Sequence, residues 1–147
     1  MISLKKFASL APAFAATATV FTTGVVLAQP AAAAELQSSG TFAGDRAHPA
    51  KGRASVVRLK GGGYGIKLHS DFKVRGGPDL RLWVSEAKSP TGGRAVRAAK
   101  HIDPGGLRSL SGEQIYRLPA DYDLAKAQSV VVWCRAFGVF FGAASLR

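Results

Sequence analysis

The sequence predicts an all-β domain, an antiparallel β-sandwich or flattened barrel of about seven to eight short strands, placed after an N-terminal export signal. Three observations carry that prediction. Apolar and polar residues alternate from Tyr64 to Arg75, the pattern of a strand with one buried face. The run Ser129-Val130-Val131-Val132-Trp133-Cys134 is apolar on both faces and β-branched, as befits a central strand covered on two sides. Helical periodicity is nearly absent, and glycine and proline interrupt the chain at short intervals.

Lys5 and Lys6 supply a positive start, and no charged residue then occurs from Phe7 to Ala34. That is the make-up of a secretion signal. The run ends in Ala32-Ala33-Ala34, an A-x-A site, so residues 1–34 are expected to be cut off before Glu35. The uncharged run exceeds a usual signal core, which makes an uncleaved N-terminal membrane anchor the alternative; its alanines and threonines, with Pro12 and Gly24 among them, favour cleavage. No cysteine stands at the end of the run to carry a lipid, and no second apolar segment approaches the ~20 residues of a membrane helix. The expected location is secreted, or periplasmic and elsewhere in the cell envelope.

The remaining 113 residues form one small domain, a β domain expected over 39–147. Arg53 to Leu59 and Tyr64 to Arg75 make a hairpin across the glycines at 61–63. Tyr64, Ile66, Leu68, Phe72 and Val74 share its buried face, and Gly76-Gly77-Pro78-Asp79 ends it in a turn. Leu80 to Ser85 returns as a strand, with Leu80, Leu82 and Val84 on one face. Ser89 to Gly106 is expected to be a long loop with one short extended piece near Val96, being rich in glycine, proline and basic residues. Ile115 to Leu118 is a short strand closed by Pro119, and Asp121 to Ala127 a turn or single helical turn. The chain ends in a hairpin of Ser129 to Cys134 and Phe137 to Leu146, where phenylalanines alternate with glycines at close-packed backbone.

Two of the twenty basic residues and none of the nine acidic ones precede residue 35, which leaves 18 against 9 and a net charge of +9. Such a surface attracts polyanions, and in an exported protein these are anionic envelope polymers or lipid head groups, with no nucleic acid expected. Only Arg94, Arg97, Lys100 and His101 crowd together. Cys134 is the sole cysteine, so an oxidising compartment offers it no intrachain disulfide. It is a buried inert thiol, a pairing site between molecules, or a working thiol or ligand. The absence of C-x-x-C excludes a dithiol couple, and the absence of C-x-x-C-H excludes covalent c-type haem. One cysteine and three scattered histidines make no structural zinc site, and no metal is expected. No hydrolase nucleophile motif is present.

From Ser39 to Leu146 the chain resembles the electron-transfer domain family DM-thirteen. The likeness rests on Ser39-Gly40-Thr41-Phe42, His48 and Gly52, and then Gly77-Pro78-Asp79-Leu80 with Leu82-Trp83-Val84-Ser85. It continues through Leu107 to Leu110, Ser111-Gly112, Gln114-Ile115-Tyr116 and Leu118-Pro119. Its most specific piece is Ser129 to Arg135 followed by Phe137, Val139, Phe141, Gly142 and Ala144. The resemblance implies extracellular electron transfer, with Cys134 as a bare redox thiol or as the ligand of a prosthetic group such as haem. His48, at a family-matching position, is then the candidate second ligand, ahead of His69 on a polar strand face and His101 in the basic loop. In animals the domain often accompanies a haem-binding module; none is expected within this sequence, so the electron donor is expected to be another, unidentified envelope protein.

Cys134 shares its strand face with Val130 and Val132, while Arg135 points to the opposite face and is poorly placed to assist the sulfur. Trp83 and Trp133, with Tyr64 and Tyr116, are expected as core aromatics that could also relay electrons. The expected function is an exported redox or electron-transfer accessory domain using Cys134, more an electron carrier than an enzyme. The alternative is a non-catalytic envelope-binding module whose basic surface holds an anionic polymer.

Overall fold

A computed structural model describes residues 36–44 and 46–147; the expected signal peptide over 1–34 and its cleavage site lie outside the described residues. Ten strands follow one another as β1 (Leu36–Ala43), β2 (Ala50–Lys51), β3 (Arg53–Arg58), β4 (Tyr64–Leu68), β5 (Lys73–Val74), β6 (Leu80–Ser85), β7 (His101–Gly106), β8 (Gln114–Arg117), β9 (Ser129–Cys134) and β10 (Val139–Ser145). A single short helix, α1 (Gly93–Ala98), precedes β7, and a 3₁₀ turn covers Leu124–Lys126. No helix among the described residues is long and apolar enough to cross a membrane.

Eight strands form one antiparallel sheet in the order β7-β6-β9-β10-β1-β3-β4-β8, curled into a nearly closed barrel, while β2 and β5 pair as a separate ribbon. This is the flattened barrel that the alternation predicts. β1 joins the two halves, since its end pairs with β10 through Phe42 and Ala43 and the rest of it pairs with β3. The strand pairs so closely with β10 that a Cβ at Gly40 would run into the Ser145 carbonyl. Only glycine fits there.

The barrel interior is filled by Phe42, Ile66, Leu68, Phe72, Leu82, Val84, Val130, Val132 and Phe141 among others, with Cys134 in their midst. Each fully buried Leu, Ile, Val or Phe contributes about 1.5–3 kcal/mol. A second, smaller cluster of Trp83, Val96, Val131, Trp133, Phe140 and Ala143 lies on the other face of β6, β9 and β10, beneath α1. Every residue of β9 is buried, so this strand is covered on both sides as its sequence requires.

Two expectations are corrected, and one strand is added. Tyr64 to Arg75 is not one strand: β4 ends at Leu68, a turn closed by Phe72 N–H donating to the His69 carbonyl (2.9 Å) follows, and β5 then pairs with β2. The alternation of burial survives the break because Phe72 and Val74 still face inward. Ser89 to Gly106 is not a loop, for it holds α1 and β7. Finally, Leu36–Ala43 is a full strand that its small and polar residues do not announce.

Candidate functional site around Cys134

Cys134 closes β9, facing Leu80 of β6 on one side and Val139 of β10 on the other. Its side chain lies in the barrel interior and the residue is 1% exposed. The turn before β6 supplies its cover. Cys134 Sγ donates to the Pro78 carbonyl at 2.9 Å, and the preceding Gly77 packs tightly on the Phe141 ring, which a Cβ would approach to 3.1 Å. A strand-end thiol is therefore not open to solvent here; the 76–79 turn seals it.

That turn is fastened by Asp79. The residue adopts φ 51°, a left-handed conformation that Asp tolerates better than most side chains. Its carbonyl accepts from Arg135 N–H at 3.0 Å, and its carboxylate accepts from Arg135 Nε at 2.6 Å, with Arg81 Nη1 3.9 Å away. Arg135 points away from the sulfur, as its strand parity requires, and ties down the turn that covers it. The pair joins residues 56 positions apart, and no spacing in the sequence signals it.

The three histidines are dispersed. The His48 ring lies 4.9 Å from that of Phe141, and its Nδ1 is buried without a hydrogen-bond partner among the described residues. Phe141 is thus the common neighbour of His48 and of the turn over Cys134, but no bond joins His48 to the sulfur. His69 Nε2 shares a 2.7 Å hydrogen bond with the buried Ser55 hydroxyl; burial, with Arg53 and Lys67 nearby, lowers its pKa below 6.5. His101 stacks on Trp83 at 3.9 Å. Among the described residues no group of three His, Cys, Asp or Glu side chains could hold a metal ion.

Haem fits this arrangement poorly. A ligated macrocycle needs a slot against the sulfur, yet Sγ is already directed at a carbonyl, and the principal cavities are walled by other residues.

On the outer face, one residue back from Cys134, Trp133 stacks with Trp83 (4.8 Å, 22° between planes). Arg97 caps the far side of Trp133 at 5.5 Å and donates to the Gly138 carbonyl. Asp103 holds the other end: it accepts from Trp83 Nε1 at 3.2 Å and grips Arg81 at 2.9 Å. His101, Trp83, Trp133 and Arg97 therefore form a continuous stack from an exposed imidazole to the residue bonded to Cys134. Tyr64 and Tyr116 are not part of it; they pack with the main core. Arg94, Arg97, Lys100 and His101, crowded in sequence, are split between this stack and two separate cavities. Asp103 was not foreseeable as a site residue, because Asp103-Pro104-Gly105 has the composition of a loop.

Among known proteins, the family model described as electron transfer DM13 matches residues 41–146. Comparison with curated proteins and with solved structures finds no match.

Proposed function

Since the chain belongs to the electron-transfer DM13 family, we propose that it is an exported redox or electron-transfer accessory domain of the cell envelope in which Cys134 acts as a bare redox thiol. The observation that carries this is the sealed position of the sulfur beside the indole stack. Reagents that must touch sulfur, such as a disulfide or peroxide, are kept out by the 76–79 turn. Electrons need no such opening, because they pass through packed protein.

In this reading an envelope protein with a one-electron acceptor docks near His101. Trp83 gives up an electron, Trp133 refills it across the stack, and Cys134 supplies Trp133 through the backbone they share. The sulfur loses one electron in all and its S–H proton leaves with it. The bond to Pro78 aims that proton at the 76–79 turn, through which it leaves to solvent.

Photochemical oxidation tests the scheme. A ruthenium(III) polypyridyl complex, generated by a flash, should oxidise Trp83 or Trp133 to a tryptophanyl radical that decays faster in the wild-type protein than in Cys134→Ser. Equal decay in the two proteins would remove Cys134 from the path and overturn the proposal.

A further inference from the structure

We infer that the ribbon of β2 and β5 is an oxyanion-binding site for a multiply charged phosphoryl group, separate from the redox reading of Cys134 and not dependent on it. The ribbon register places Lys51 directly opposite Lys73 and Ala50 opposite Val74. Facing residues of an antiparallel pair have Cβ atoms about 4.5–5.5 Å apart, and like charges there repel. On its other side β5 is held by a bridge from Lys73 to Ser111 and by Val74 N–H donating to the Leu110 carbonyl, so the repulsion is borne by a pairing only two residues long.

The two lysines share a cavity of about 440 Å³ with Arg46 and Arg75, floored by Ala47, Pro49 and Val74. Among the described residues no acidic side chain lines it, and none of the four cations takes part in an ion pair. Elsewhere Arg53, Lys67, Arg81 and Arg135 all find carboxylates. Other cations outside ion pairs, such as Arg58, Lys60 and Lys88, stand apart from this cavity; what distinguishes the site is that four cations line one cavity, two of them in direct cross-strand register. Two guanidinium forks flanking two ammonium groups match the oxygens of phosphate, the forks bidentately and the lysines as point charges. Four positive charges favour a diphosphate or several clustered monoesters over a single carboxylate. The charge alternative raised by the sequence thus acquires a place, and it is not the basic run at residues 94–101.

The test pairs binding with stability. Inorganic pyrophosphate is titrated into the purified protein by calorimetry, beside vesicles of phosphatidylglycerol with phosphatidylcholine vesicles as the neutral control. Lys73→Gln should weaken binding about tenfold or more, and without ligand should raise the melting temperature because the cross-strand repulsion is gone. Lys60→Gln, in the distant 60–63 turn, should change neither. Binding of pyrophosphate identifies a soluble phosphoryl ligand, and binding of the anionic vesicles alone identifies a lipid headgroup; either supports the site if Lys73→Gln weakens it about tenfold or more. Undiminished binding by Lys73→Gln, no binding to either probe, or a lower melting temperature of that variant overturns it. Cys134→Ser should bind as the wild type does, which keeps failure of this site distinct from failure of the redox path.

Discussion

Asp79→Asn isolates the fastening over the thiol. Asparagine tolerates the left-handed backbone that Asp79 adopts, and the Arg135 N–H bond to the residue-79 carbonyl is kept. What is lost is the ion pair to Arg135, whose side chains are 61% and 33% exposed, together with the longer 3.9 Å contact to Arg81. Pairs this exposed contribute about 0.5–1 kcal/mol at most. If the pair exists only while the turn is closed, that sum is taken directly from the opening free energy. The open population then rises about two- to fivefold, since about 1.4 kcal/mol is a factor of ten. A sulfur at 1% exposure must be uncovered before a bulky aromatic disulfide reaches it, so the native labelling rate reports the open fraction. Labelling of Cys134 should be slow in the wild type and about two- to fivefold faster in Asp79→Asn, with global stability lowered by no more than the same ~0.5–1 kcal/mol, because the unfolded chain lacks the pair as well. High salt should narrow the gap by screening the pair. An identical rate in the variant, or a wild-type labelling rate with the full denaturant dependence of global unfolding, would refute the turn as the gate.

Two further outcomes rest on other parts of the barrel. Burial favours the neutral form of His69, which is bonded to Ser55, with Arg53 and Lys67 opposing its charge and Asp71 and Glu113 favouring it. Its folded pKa lies below its unfolded value, so the unfolded chain binds the extra proton and stability falls as pH drops through the window just under 6.5. His69→Gln should flatten that segment of a denaturant-midpoint-against-pH curve; an unaltered slope would assign it to other groups. Gly40→Ala should cost about 3 kcal/mol, the upper end of overpacking, because the new methyl meets the Ser145 carbonyl rather than a yielding side chain. A midpoint within the error of wild type would mean that β1 can shift off β10.

The sequence made the inner lattice of the fold legible wherever packing alone chose the residues. β9, with its unbroken β-branched run, and β6, with Leu80, Leu82 and Val84 on one face, stand where their patterns put them. β7 did not, because as an end strand paired on one side only it can carry Pro104 and a glycine at φ 148°, and those residues look like a loop. α1 is six residues long, has no capping side chain and buries only Val96, so its helicity comes from lying over Trp133 and Phe140. β1 was hidden for a similar reason: it is defined by neighbours on both sides, not by its own composition. At the site, strand parity correctly placed Cys134 inward and Arg135 outward. The seal over the sulfur was not legible, since Pro78, Asp79 and Arg135 meet only after β6 and β9 have paired.

The position of β1 between β10 and β3 also governs how the molecule is made. Hairpins such as β3–β4 and β9–β10 can form as soon as their residues exist, but the barrel closes only when Phe42 meets Ala144, about a hundred residues away. Contacts of that span put folding in the slow, millisecond-to-second range of all-β proteins. Until β10 arrives, β1 and β9 each present an unpaired edge to any neighbouring chain. The last strand is thus both the final step of assembly and the guard against self-association, and shortening it would reveal itself first as aggregation.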